Sequence, residues 1–119
     1  MSAEYDSPLV IGDTFELFVY WEDSASTRIP LLGKTVRFAI KDTDEVFYDE
    51  TSLTSDDITI PELTDPTRTG EILVTIPASK TTNFPSGSLP YDLEVTEQGI
   101  GWRKTILRGK INTLTEVAR

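Results

Sequence analysis

The chain contains no cysteine and no histidine. Without cysteine there are no disulfides and no thiolate ligands, and without histidine the usual general base and the commonest metal ligand are missing. Ser–His and Cys–His nucleophilic catalysis and histidine-based zinc chemistry are therefore excluded. Long apolar runs are absent too. No stretch approaches the roughly 20 residues of a membrane-spanning helix, and the opening MSAEYDSPLV has no basic region followed by an apolar segment, so neither a membrane partner nor a secretory signal is expected. Positive charge is scarce: 11 Lys and Arg stand against 20 Asp and Glu, a net charge of −9. A chain this acidic is poorly suited to holding phosphate backbones, and no nucleic-acid partner is expected. The excess is one-sided, with 13 acids and 4 bases in residues 1–60 and 7 of each in residues 61–119. Solubility and protection of sheet edges account for such a bias, and so does an acidic face meeting a basic partner.

What is present is alternation. At 119 residues the chain has the size of one domain with one core. Its organising stretch is residues 88–119. Leu89, Tyr91, Leu93 and Val95 alternate with polar neighbours, Gln98, Gly99 and Gly101 mark a turn, and Trp102 to Thr113 runs back as a second strand. This hairpin is expected at the centre of a small sandwich. Earlier in the chain, Phe15, Leu17, Val19 and Trp21 alternate with Glu16, Phe18 and Tyr20, a strand apolar on both faces whose second face calls for cover by an arm, a loop or another subunit. Val36, Phe38 and Ile40 form another strand, and Asp42, Thr43 and Asp44 make a tight turn into a short return strand, Glu45 to Tyr48. From Asp49 to Arg68 the pattern fades, with Ile58 and Ile60 as a short strand and Pro61 and Pro66 unsuited to the middle of a sheet. Ile72, Val74 and Ile76 alternate again, and Pro77 to Phe84 has room for one or two helical turns. The reading is an all-β antiparallel sandwich of about seven strands with at most one short helical turn near residues 77–84. Residues 1–11 are expected as an N-terminal arm and residues 12–119 as a single domain.

No catalytic constellation, cofactor motif or metal set emerges. The acidic run Asp42, Asp44, Glu45, Asp49 and Glu50 lacks the spacing and the glycine of a helix–loop–helix calcium loop, and Val46, Phe47 and Tyr48 in its midst read as strand. The role of the acidic loop at residues 42–57 stays open. Asp92 and Glu94 lie two apart on one strand face, where solvent-facing alternation explains them without glycosidase chemistry. The candidates that remain are for contact. Phe18 and Tyr20 are the outward aromatics of their strand. Trp102 sits just past the turn. Arg103, Arg108 and Lys110, with Lys104, make the last strand the most basic part of the chain, and period two puts Ile106 on the face of Arg108 and Lys110. These cations have two readings: cross-strand pairing with Asp92, Glu94 or Glu97, or half of a contact with the acidic N-terminal face of a neighbouring subunit.

Taken in order, GDTFELFVYW, PLLGKTVRFAIKD, TGEILVTIPAS, LPYDLEV and ILRGKINTLTEVAR resemble a group of small tailed-bacteriophage structural proteins. In these a Gly-Asp-x-Phe strand start, a Leu-x-Gly corner, a Tyr-Asp-Leu-Glu strand and a closing Gly-x-[VI] strand recur. The layout is similar to the immunoglobulin-like N-terminal domain of phage baseplate upper proteins and covers Gly12 to Arg119. The ending Glu-Val-Ala-Arg and the acidic loop Thr43 to Asp65 depart from it. The resemblance implies an immunoglobulin-like sandwich and a non-enzymatic virion structural or adaptor role in the tail, baseplate or fibre-attachment region. The expected partners are other virion proteins and copies of itself, with assembly in the host cytoplasm. A capsid decoration or head–tail connector role fits the same features, and a receptor- or carbohydrate-binding domain using Trp102, Trp21 and the tyrosines is the remaining alternative, with a host-surface glycan as its ligand.

Overall fold

A computed structural model describes residues 3–97 and 102–115. Among the described residues there are nine strands: β1 (Ala3–Glu4), β2 (Ser7–Val10), β3 (Phe15–Tyr20), β4 (Lys34–Asp42), β5 (Glu45–Thr51), β6 (Ile58–Thr59), β7 (Glu71–Ile76), β8 (Gly87–Glu97) and β9 (Arg103–Leu114). They form two stacked sheets. The larger has the order β1/β2–β9–β8–β4–β5 and the smaller the order β3–β7–β6. One helical turn, α1 (Ala78–Thr81), follows Pro77 as the sequence predicts, and two single 3-10 turns begin at Pro61 and Pro66. The hairpin β8–β9 lies in the interior of the large sheet, although its turn residues Gln98, Gly99 and Gly101 fall outside the described residues.

The alternation read from the sequence is what the core uses. Val36, Phe38 and Ile40 of β4 and Leu89, Tyr91, Leu93 and Val95 of β8 face Phe15 and Leu17 of β3 and Ile72, Val74 and Ile76 of β7, all buried. Phe38 sits at the centre, with ring centroids 5.3 Å from Tyr91 and 6.1 Å from both Phe15 and Tyr48. Leu31, fully buried, is delivered from the corner before β4, while its neighbour Leu32 points to solvent.

Residues 3–10 belong to the sheet rather than standing apart as an arm. β1 and β2 both pair with β9, in parallel, with Ala3 opposite Leu107 and Val10 opposite Leu114. Leu9 and Ser7 are buried there. The two halves are separated at Tyr5 and Asp6, where the chain crosses very close to Gly109. A β-carbon on Gly109 would stand 2.7 Å from the Tyr5 carbonyl carbon and nearer still to its oxygen, so only glycine fits. Three bonds hold the crossing: the Tyr5 N–H donates to Arg108 O (3.0 Å), the Tyr91 hydroxyl to Tyr5 O (2.5 Å) and the Lys110 N–H to Asp6 Oδ1 (2.9 Å).

Two bulges depart from strict period two. In β9, Leu107 pairs with Leu93 and Thr105 with Glu94, leaving Ile106 as the extra residue. Ile106 and Leu107 are consequently both buried, which corrects the placing of Ile106 on the outward face with Arg108 and Lys110. In β5, Phe47 is the extra residue between Tyr48, opposite Ile40, and Val46, opposite Lys41.

Candidate interaction surface

The small sheet has no further strand or helix packed on its outer face among the described residues, and β3 puts its aromatics there. Phe15 and Leu17 point inward, whereas Phe18 and Tyr20 point outward and are 44% and 48% exposed. No strand or helix covers them; the segment after β3 reaches only Tyr20, through Arg28. The two rings meet edge to face with centroids 4.9 Å apart, and across the sheet Phe18 lies opposite Leu73 and Tyr20 opposite Glu71.

The polar segment after β3 brings a cation to this patch. The Asp23 side chain accepts the N–H groups of Ala25 and Thr27, which folds the segment back so that Arg28 forms a bridge with Glu22. The Arg28 guanidinium then lies 3.7 Å from the centre of the Tyr20 ring, with its Nε 3.2 Å from Glu22 and its Nη1 3.9 Å from Glu71. Arg68 closes the rim with a 2.8 Å contact to Glu71. The cation over Tyr20 contributes about 0.5–1 kcal/mol at an exposed site and fixes the ring's orientation. The result is two presented aromatic rings inside a border of ion pairs, the composition of an interaction hot spot with a polar rim.

β3 is also the outermost strand of its sheet; among the described residues it pairs only with β7. Two clefts separate its free edge from β1 and β9. One, of about 600 Å³, is lined by Ala3, Tyr20, Trp21, Lys104 and Ile106; the other, of about 400 Å³, by Tyr5, Glu16, Phe18 and Leu107. Trp102 is 39% exposed and packs beside Trp21, ring centroids 6.4 Å apart. Trp21 itself is buried, so it is not a free stacking platform.

The structure does not bring the six contact candidates together. Arg108 and Lys110 point outward from the large sheet, on the opposite side of the sandwich from Phe18 and Tyr20, and Arg103 begins β9 beside Trp102. Arg108 lies directly opposite Asp92, yet among the described residues Arg103, Lys104, Arg108 and Lys110 have no carboxylate within ion-pair distance. The ion pairs of that face belong to Arg37, which contacts Asp49 at 2.5 Å and Glu94 at 3.6 Å. The hydrogen bond from Arg37 holds the Asp49 carboxyl below its ordinary value. Asp92 and Glu94 therefore sit on an open sheet face, with Glu94 engaged by Arg37.

Several carboxylates of the acidic loop are similarly occupied. Asp42 Oδ1 accepts the Thr43 N–H, Asp49 binds Arg37, and Glu50 lies 4.0 Å from Lys80. Among the described residues no group of three or more potential ligands converges on a metal position. Lys80 and Tyr48 both donate to Asp57, at 2.7 and 2.8 Å, and burial followed by the Asp57 bond pushes the Tyr48 hydroxyl up. Among the described residues no helix is long and apolar enough to cross a membrane. Arg28, Leu73 and Tyr5 are parts of the β3 surface that alternation did not single out, since each reaches it through contacts distant in sequence.

No family model matches the chain, and no curated protein does. Solved structures do: 131 chains match. One of them comes from work on multimeric cell-adhesive interactions of VGSC beta subunits; it shares 8% identity with a TM-score of 0.54, over 93% of this chain and 92% of that one. The likeness concerns the fold, which is an immunoglobulin-like β-sandwich.

Proposed function

We propose that this protein is a non-enzymatic binding module that works by protein–protein contact through the outer face and free edge of β3, as a structural or adaptor component of a tailed-phage particle in its tail, baseplate or fibre-attachment region. The observation that carries the contact reading is the half-exposed Phe18–Tyr20 pair with its rim of Arg28, Glu22, Glu71 and Arg68. A solvated sheet face ordinarily carries polar residues at such positions; paired aromatics with their orientation fixed are instead what a partner's surface desolvates with gain. The phage setting is supported by the order of strand and corner motifs from Gly12 onward.

The test is incorporation. Electron microscopy of intact virions should show the protein at a copy number set by the particle's symmetry, and a variant with both Phe18→Ser and Tyr20→Ser should fold but fall out of particles, its affinity for its neighbour reduced at least about 30-fold. Absence of the wild-type protein from purified particles refutes the phage setting. Full incorporation of the folded double variant refutes the β3 surface.

A second reading, a receptor- or carbohydrate-binding domain, is favoured by one feature: Tyr20 borders the larger cleft together with the polar groups of Glu22, Asp23 and Lys104. It predicts a change in tryptophan fluorescence when a host glycan enters beside Trp21 and Trp102. An unchanged spectrum across a broad glycan panel removes it.

A further inference from the structure

We infer that the free edge of β3 pairs with β3 of a second copy of this chain, antiparallel and centred on Phe18, joining two three-stranded sheets into one continuous sheet across a twofold axis. The inference rests on the reading of the β3 surface as a contact surface and names its partner.

Backbone direction sets the register. The Trp21 N–H donates to Gly70 O at 2.8 Å, towards β7. Hydrogen-bonding groups alternate in an antiparallel strand, so Phe15, Leu17 and Val19 turn theirs to β7 as well, and Glu16, Phe18 and Tyr20 turn theirs to the free edge. A twofold axis at Phe18 sets Phe18 against its own copy, Glu16 against Tyr20 and Tyr20 against Glu16. Every edge-facing residue then meets an edge-facing residue. Shifting the axis by one residue leaves at least one of the three without a counterpart in β3.

Side chains favour the same register. Directly opposite residues share a sheet face, so Glu16 of one copy lies beside Tyr20 of the other and the Arg28 guanidinium stacked on it. Among the described residues Glu16 has no cation within ion-pair distance in its own chain. Self-pairing supplies that cation twice and stacks the two Phe18 rings about the axis. An isologous contact closes on itself, giving a dimer and not a fibre.

The other sheet edges support the choice of this one. Edges are ordinarily guarded against strand addition by proline, bulges, charge or shortness. β2 carries Pro8; β5 carries the Phe47 bulge together with Glu45, Asp49 and Glu50; β6 is two residues long. β3, reading FELFVY, has none of these devices apart from Glu16, the residue that the pairing uses.

The absence of cysteine makes the register directly readable. Opposite residues of a hydrogen-bonded pair stand about 5.5 Å apart at Cα, within disulfide reach, whereas Glu16 and the Glu16 of the second copy would be more than ~13 Å apart. On mild oxidation the Phe18→Cys variant should cross-link with itself. The Glu16→Cys and Tyr20→Cys variants should each stay single alone and cross-link when mixed, a pair that leaves Phe18 intact. In sedimentation the wild type should dimerise, Phe18→Lys should be monomeric, and Glu16→Lys should raise the dimer dissociation constant about tenfold. A wild type that remains monomeric at its highest soluble concentration, or a dimer that lacks this cross-linking pattern, overturns the pairing. Loss of the Phe18→Ser, Tyr20→Ser double variant from particles in that case would leave the β3 surface standing with a different partner; its retention would remove both.

Discussion

Glu62 offers the sharpest test of how the loops around the sandwich are held. It is 5% exposed, in the 3-10 turn after β6, and one carboxyl oxygen, Oε1, accepts two backbone N–H groups at 3.0 Å each: that of Leu31, the fully buried plug before β4, and that of Gly70, which leads into β7. One side chain thus ties together three segments far apart in sequence. Replacing it with alanine leaves two buried donors without a partner, at about 1–3 kcal/mol each. The expected loss is about 2–6 kcal/mol, against about 5–15 kcal/mol for a domain of this kind. At roughly 4 °C per kcal/mol, thermal unfolding should fall by about 8–24 °C. Glu62→Gln keeps an oxygen in place and should lose much less, about 1 kcal/mol. Urea unfolding measures both variants, and hydrogen exchange at Leu31 and Gly70 locates the effect. If Glu62→Ala is as stable as the wild type within about 0.5 kcal/mol, or if the two amides keep their protection, the carboxyl does not hold the loops and the reasoning fails.

Three further outcomes follow from contacts already described. Gly109→Ala should drive a methyl into the Tyr5 carbonyl and free residues 3–10 from β9, seen as faster hydrogen exchange confined to that segment and a loss of about 1–3 kcal/mol; unchanged exchange there would contradict the close crossing. Burial, then Asp6 and Tyr5, push the Tyr91 hydroxyl up to about 12 from its ordinary 10.0, so its contribution to stability is complete below 10 and is lost as pH rises towards 12; Tyr91→Phe should reduce the alkaline slope of stability over that window, and an unaltered slope would refute the assignment. Asp49 is held below its ordinary 3.8 by the Arg37 bond, so its contribution is present above that pH and lost as pH falls beneath it; Asp49→Asn should flatten the acid limb of the stability profile, and an equally steep limb would count against the pair.

Where two sheets each show one face to the core, period two is a strong signal, and Leu89, Tyr91, Leu93 and Val95 are buried as their alternation demands. Phe18 and Tyr20 were legible as contact candidates for a related reason: a strand with apolar residues on both faces has one set more than a single core can bury. Ile106 shows where that signal ends, because a bulge adds one residue without leaving a mark in composition. Glu62 was hidden for another reason. A glutamate next to a proline reads as solvated loop, and its burial depends on two amides brought to it from 31 and 8 residues away. Likewise SPLV is too short to announce a strand, since its partner lies a whole chain away in β9. Arg28 reaches Tyr20 only through the fold of the segment between Glu22 and itself.

The parallel seam between β1/β2 and β9 bears on how the domain would carry a pulling force. Its two strands run the same way, so the chain enters at the end where Ala3 meets Leu107 and leaves at the end where Val10 meets Leu114. Tension applied through the two ends would drag these strands past one another along their length. The bonds between them would then be loaded together, in shear, instead of opening one after another like a zip. Stretched in this direction, the sandwich should yield in a single high-force event at this seam. A gradual, low-force extension of residues 3–10 would show that the seam does not bear the load.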